Sequence, residues 1–195
     1  KGTFEDVTEK AEIDSKKGGN TALFFDLDHD GDLDLFETRS NSNLFFRNNS
    51  DGTFQEQAEK MGLAGGDAIA RDAAFGDFDD DGDIDLFVVN ENSDILYSNQ
   101  RMGVFKDISG ESGLKSNGGS SAVAVGDYNN DGFLDLFVTS INEGGHELFR
   151  NMGNGTFEPE KNSKAIFSAL QHVKAYGASF LDFDNDGFLD LFIAG

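Results

Sequence analysis

The chain has 195 residues and sets 37 Asp and Glu against 15 Lys and Arg, a formal charge of −22 that excludes nucleic acid and anionic membrane surfaces as partners and makes cations its natural counterpart. Twenty Phe residues, many in recurring Leu-Phe pairs, supply enough apolar surface to mark the acidity as that of a folded chain rather than a disordered one. Cysteine is absent, so disulfides and thiolate metal sites are ruled out, and no apolar run has the length of a membrane-inserting span or of a signal peptide.

Taken in order, the chain opens on Gly2-Thr3-Phe4, a Gly-x-Phe motif that returns at Gly52, Gly103 and Gly155. Nine positions after each Phe stands Ile13, Leu63, Leu114 or Ile166, so residues 1–13 read as the end of a preceding unit. Unit 14–63 then predicts a strand at Ala22–Phe25, an acidic loop from Asp26, and a second strand from Leu35-Phe36. A third strand at Leu44–Arg47 closes on Asn48, and a turn leads to the Gly-x-Phe strand. Unit 64–114 repeats this with Ala73–Gly76, Asp77, Leu86-Phe87 and Ile95–Ser98. Unit 115–166 does so with Val123–Gly126, Asp127, Leu136-Phe137 and Glu147–Arg150. Unit 167–195 is incomplete: Ala178–Leu181, Asp182 and Leu191-Phe192 are present without a third strand. The only segment with helical potential, Asn162–Lys174, lengthens the last connection.

The first aspartates recur after 51, 50 and 55 residues, a period suited to a propeller blade. The predicted fold is therefore all-β, a β-propeller of four-stranded blades with the acidic loop between first and second strands, about four blades in all. It would be a partial propeller, a small ring closed by the Gly2–Val7 strand, or part of an assembly completed by a neighbouring chain.

Each acidic loop places oxygen donors at alternate positions of a tight turn, the spacing that wraps a hard cation. The first offers Asp26, Asp28, Asp30 and Asp34, with Gly31 at the sixth position; the second Asp77, Asp79, Asp81 and Asp85; the third Asp127, Asn129, Asp131 and Asp135; the fourth Asp182, Asp184, Asp186 and Asp190. The seventh position holds Asp32, Asp83, Phe133 and Phe188, so the donor common to all four there is a backbone carbonyl. An EF-hand would need helical flanks and a glutamate at position twelve, which only Glu37 provides; its counterparts Val88, Val138 and Ile193 are strand residues, and Glu37 is expected to be an exposed one. Four calcium ions are the expectation, structural rather than catalytic, and they would offset roughly a third of the net charge. Turns favour aspartate without any metal, yet four in-register copies of such a cluster would repel themselves strongly.

These loops, with Asn151–Phe157 (NMGNGTF), Gly2–Lys10 (GTFEDVTEK) and Phe75-Gly76 before Asp77, resemble the FG-GAP or VCBS repeat family, whose relatives include the propeller of integrin α-subunits and secreted proteins. The resemblance covers essentially the whole chain. It implies calcium-stabilised blades, commonly seven in a ring, an extracellular setting, and roles in adhesion, ligand recognition or scaffolding; it implies nothing catalytic.

In an up-and-down blade the metal loops and the turns before Gly-x-Phe share one face. Thr38–Asn43, Asn90–Asp94, Ser140–His146 and Asn162–Lys174, which differ from unit to unit, lie on the other. A noncatalytic module binding protein or glycan on that second face is the functional expectation. Alternatives are a self-assembling structural protein and a polysaccharide-acting enzyme using His146, His172, Tyr97, Tyr128 or Tyr176. The three histidines, His29 included, are otherwise expected at the surface. Asn48 and Asn154 match the N-glycosylation acceptor.

Overall fold

The computed structural model describes residues 2–13, 18–101, 103–115 and 118–195; the unit boundaries expected near residues 14 and 115 abut segments 14–17 and 116–117, outside the described residues. Three antiparallel sheets of four strands each follow in sequence, with strand order equal to chain order. The first holds β1 (Ala22–Phe25), β2 (Asp34–Glu37), β3 (Leu44–Asn48) and β4 (Phe54–Glu56); a short α1 (Ala58–Met61) leads to β5 (Ala70–Gly76), β6 (Asp85–Asn90), β7 (Ile95–Asn99) and β8 (Phe105–Asp107). The third contains β9 (Ser120–Gly126), β10 (Asp135–Ser140), β11 (Glu147–Asn151) and β12 (Phe157–Pro159). A single helical turn, α2 (Ser163–Ile166), and a 3-10 turn (Ser168–Leu170) occupy the long connection, where helical potential was read. β13 (Gly177–Leu181) and β14 (Asp190–Ala194) pair as a two-stranded fourth sheet.

The sheets stack as successive propeller blades. β5, β9 and β13 run side by side along the inner edge, where Asp72 accepts from the Val123 backbone N–H at 3.1 Å and the Ser121 hydroxyl donates to the Ala175 carbonyl at 2.6 Å. Each interface between sheets holds its own core: Phe25, Phe36, Phe45 and Leu86 between the first two, Phe78, Phe87, Leu136 and Phe149 between the next, Phe137, Leu148 and Phe167 before the last. The middle strands β6 and β10 are buried along their whole length, because a blade is covered on both faces. Each fully buried Phe there contributes about 1.5–3 kcal/mol. Glycine ends β5 and β9 because the next blade leans on it: a Cβ on Gly76 would stand 2.7 Å from Leu134 Cδ1, and one on Gly126 2.8 Å from Leu189 Cδ1.

The array is open and forms a partial propeller. The expected strand over Gly2–Val7 does not form; Phe4 is fully exposed, and among the described residues no strand lies beside it. Behind it, the Ala11 carbonyl accepts from Phe54 N–H at 2.9 Å, as the Ser112 carbonyl accepts from Phe157 N–H at 2.6 Å two blades on. β14 alternates between exposed and half-buried for the same reason: among the described residues nothing pairs with its outer edge. Glu37 corrects the reading of an exposed strand residue, for it is 7% exposed, bonded twice to Arg39 at 3.1 and 3.2 Å and packed against Gly19. Among the described residues no helix is long and apolar enough to cross a membrane.

Candidate metal centre

Each loop is folded by its own first aspartate. One carboxylate oxygen accepts from the N–H of position five and the other from that of the glycine at six, all at 2.8–3.1 Å, for Asp26, Asp77, Asp127 and Asp182 alike. Position five in turn accepts from the N–H of position seven at 2.9–3.1 Å. This winding requires left-handed backbone twice. The glycines at position six sit at φ 89° to 94°, and position four, His29, Asp80, Asn130 and Asn185, at φ 56° to 62°. Asn, Asp and His tolerate that region best, so the fourth column was a signal the sequence reading left unused.

The ninth aspartate joins the loop to the blade. Asp34, Asp85 and Asp135, at most 2% exposed, each accept one backbone N–H from position two (Leu27, Phe78, Tyr128; 3.1–3.2 Å) and one from the last residue of the third strand (Asn48, Asn99, Asn151; 2.8 Å). Burial pushes the carboxyl of Asp85 up to about 7 and that of Asp135 up to about 6, against the lowering effect of those bonds, and raises Asp34 likewise. Asp190 accepts only from Phe183, at 3.0 Å, and is exposed, since no third strand covers it.

The third-strand asparagines were read only as strand ends, yet they tie three segments together. The side-chain amides of Asn48, Asn99 and Asn151 donate to the position-eight carbonyls of Leu33, Ile84 and Leu134 at 3.0–3.2 Å, while their oxygens accept from Ser50, Arg101 and Gly153 in the following turn. For Asn48 this engages the nitrogen a glycan would occupy, so the first glycosylation match falls on a structural clamp; Asn154 is exposed in its turn.

Carboxylates converge in three loops. Oxygens of Asp26, Asp28 and Asp30, of Asp77, Asp79 and Asp85, and of Asp182, Asp184 and Asp190 come within 4.8 Å of one another. In the third loop Asn129 takes the middle place and its oxygen accepts from Asp131 N–H at 2.9 Å, so no group of three carboxylates forms there. At position seven the side chains turn outward: Asp32 bonds to the Ser50 hydroxyl, Asp83 to Arg101 at 2.5 Å, and the Phe133 ring lies against Gly153. Position seven thus offers no side-chain oxygen common to the four loops, and these contacts put the first three loops on one face with the turns before β4, β8 and β12. The donor set fits a hard cation on a specific observation: Asp79 Oδ1 is buried with no hydrogen-bond partner, at the centre of the second cluster. Burial and the charges of Asp81 and Asp77 raise its carboxyl. The first loop differs, since Arg47 bonds Asp28 at 2.6–2.7 Å and Asp30 at 2.9 Å.

The FG-GAP-like repeat family model matches three times, over residues 26–88, 77–138 and 127–193. The chain belongs to this family. Each match begins on a first loop aspartate and runs into the second strand of the next blade, so the FG-GAP-like repeat is counted from acidic loop to acidic loop. No curated protein sequence matches. Among solved structures, the chain is similar to a lectin of Agrocybe aegerita that specifically recognises non-reducing terminal N-acetylglucosamine, with a TM-score of 0.51 and 20% identity over 87% of this chain and 45% of that one. The chain thus spans under half the length of that lectin, and the likeness is one of fold.

Proposed function

We propose that this FG-GAP-like array is a noncatalytic, calcium-stabilised recognition module of an extracellular protein, binding a glycan or protein ligand on the face opposite the metal loops. The observation that carries the calcium reading is the buried, unpartnered Asp79 oxygen within a converging carboxylate set. The ions would be held by the aspartates of all four loops, with Asn129 and the carbonyls of Asp32, Asp83, Phe133 and Phe188 completing the oxygen sets. Millimolar extracellular calcium suits such loops, and the lectin with a similar fold favours a sugar among candidate ligands.

Three of the five candidate acid-base groups are poorly placed for catalysis, which supports a binding role. His146 has both ring nitrogens engaged, accepting from Ser140 N–H and meeting the Val173 carbonyl, each at 3.1 Å. The Tyr97 hydroxyl is buried and pushed up to about 12, and Tyr128, raised to about 12 by burial, donates to Glu160 at 3.0 Å.

Two measurements test the proposal. A ligand at one hundred times its dissociation constant stabilises by about 2.7 kcal/mol per site, or roughly 5–10 °C for a chain of this size. Calcium should therefore raise the melting temperature by at least about 10 °C over chelated protein, and equal melts would refute the calcium reading. A glycan array probed with the calcium-loaded chain should show selective binding; a blank array would refute glycan recognition, and binding that survives exchange of all four divergent loops would refute its placement on that face.

A second reading, self-association, is favoured by Phe192 on β14 and by Phe183 and Phe188 in the loop before it, 60–82% exposed, with the outer edge of β14 unpaired among the described residues. Sedimentation should show dimers at micromolar concentration; a monomer throughout would remove it.

A further inference from the structure

The third connection, residues 160–176, is 17 residues long against 13 and 12 for 57–69 and 108–119. Its extra length lies off the propeller frame: it folds back towards the β10–β11 loop and borders a half-open cleft of about 370 Å³, within the range of small-molecule sites. We propose that this cleft is a saccharide site sized for one neutral sugar ring, an assignment that rests on the recognition reading above and gives it a place.

The lining has the chemistry of a polyol site. Glu143 offers a carboxylate to hydroxyl donors, Gln171 an amide that both donates and accepts, and Ser163 a hydroxyl; Phe167, 9% exposed and packed on Phe137 at 5.0 Å, provides an apolar wall for the C–H face of a ring. Glu143 also faces His172 at 3.3 Å across the cleft. Among the described side chains no Lys or Arg lines it, and the Glu143 carboxylate opposes an anionic ligand, so phosphate and carboxylate groups fit poorly.

The walls are held before any ligand arrives. His146 accepts from Ser140 N–H and reaches the Val173 carbonyl, joining the β10–β11 loop to the connection, while Ala175 N–H donates to the Ser140 carbonyl at 3.2 Å and Ser121 holds the Ala175 carbonyl. A site whose walls are fixed spends less of its contact energy on ordering, which matters for a ligand as small as one sugar.

The test is a titration of the 15N-labelled, calcium-loaded chain with glucose, galactose, mannose, N-acetylglucosamine and N-acetylgalactosamine, followed by amide chemical shifts. At least one sugar should shift amides within 141–146 and 163–173 together, and the Glu143→Ala/Gln171→Ala double variant should bind it at least tenfold more weakly. Both side chains are exposed, so the variant should melt as the parent does. Shifts centred elsewhere, or undiminished binding by the double variant, overturn the cleft while leaving recognition on this chain intact. An absence of shifts with every sugar also overturns it, and only a blank glycan array with the same protein takes the glycan reading down with it.

Discussion

Asp135→Ala separates the two jobs of the ninth aspartate. Asp135 is fully buried and accepts from Tyr128 N–H at 3.2 Å and Asn151 N–H at 2.8 Å, so alanine strands two backbone donors between β10, β11 and the third loop. Leaving a buried donor bare costs about 1–3 kcal/mol. Burial already pushes the Asp135 carboxyl up to about 6, so losing its charge returns part of that, and a net destabilisation of about 2–4 kcal/mol is expected. For a chain of this length that is a melting shift of roughly 5–15 °C. Asp190→Ala is the control, because Asp190 occupies the same loop position but is exposed and accepts from Phe183 alone. In chelator, where no ion contributes, Asp135→Ala should still lower the melt by several degrees and Asp190→Ala by no more than about two. With calcium both variants should lose one bound ion by calorimetry. Equal melts of the two variants in chelator would refute the clamp; retention of every ion would refute the metal role.

Asn151→Ala removes amide bonds to the Phe78 and Leu134 carbonyls, both 3.0 Å, and the acceptor of Gly153 N–H, so urea denaturation should show a loss of about 2–4 kcal/mol, larger than for the less buried Asn48→Ala. The Asp85 and Asp135 carboxyls lie above the unfolded carboxylate value, so the folded metal-free chain binds more protons between roughly pH 4 and 7. The stability this lends is complete below about pH 4 and is lost as pH rises through about 6 and about 7. Metal-free protein should therefore resist urea better at pH 5 than at pH 8, and calcium-loaded protein the reverse, because acid releases the ions; the same order in both would contradict the reading. Arg47→Met withdraws the guanidinium from Asp28 and Asp30, and since an exposed ion pair contributes about 0–1 kcal/mol, one of the calorimetric sites should tighten up to about fivefold; unchanged sites would show that Arg47 does not compete with the ion.

The repeat made most of this fold readable. Strand positions followed from columns that recur four times, and the forecast strands at Leu44–Arg47, Ile95–Ser98 and Glu147–Arg150 fall within one residue of β3, β7 and β11. Pairing was less readable than identity. Gly2–Val7 has the residues of a fourth strand and forms none, because a strand is made by its neighbour and not by its own sequence. Glu37 and His146 misled for a related reason: polar residues read as surface are buried here, and what makes burial tolerable is a partner, Arg39 in one case and Ser140 N–H with the Val173 carbonyl in the other. The loop ligands were legible from spacing, whereas the division of labour within the loop, with the first aspartate winding it and the ninth anchoring it to an asparagine on the third strand, required the bonds themselves.

The opposite ends of the blades diverge for a reason visible in one recurring bond. Five residues after the ninth loop aspartate the backbone N–H of Arg39, Asn90 or Ser140 must be capped before the chain turns into the third strand. The caps are Asn43 Oδ1 at 3.1 Å, Asp94 Oδ1 at 2.8 Å and His146 Nδ1 at 3.1 Å. An amide, a carboxylate and an imidazole thus perform one structural task, so this end accepts any acceptor of suitable reach, while each acidic loop is wound by a first aspartate that uses both carboxylate oxygens at once, which an amide cannot do. The imidazole brings more than its capping nitrogen. Its second nitrogen meets the Val173 carbonyl and so anchors the long third connection, as the Asn43 amide reaches the Leu63 carbonyl at 3.5 Å and the other Asp94 oxygen accepts from the Ser120 hydroxyl at 2.8 Å. Each cap thus also ties its loop to the chain that leads into the next blade, and beside His146 that chain is the longest of the three connections and lines the cleft. His146→Asn should accordingly keep the β10–β11 turn closed while loosening residues 163–173, seen as faster amide hydrogen exchange confined to that segment; faster exchange throughout β10 and β11 would show instead that the histidine holds the blade itself.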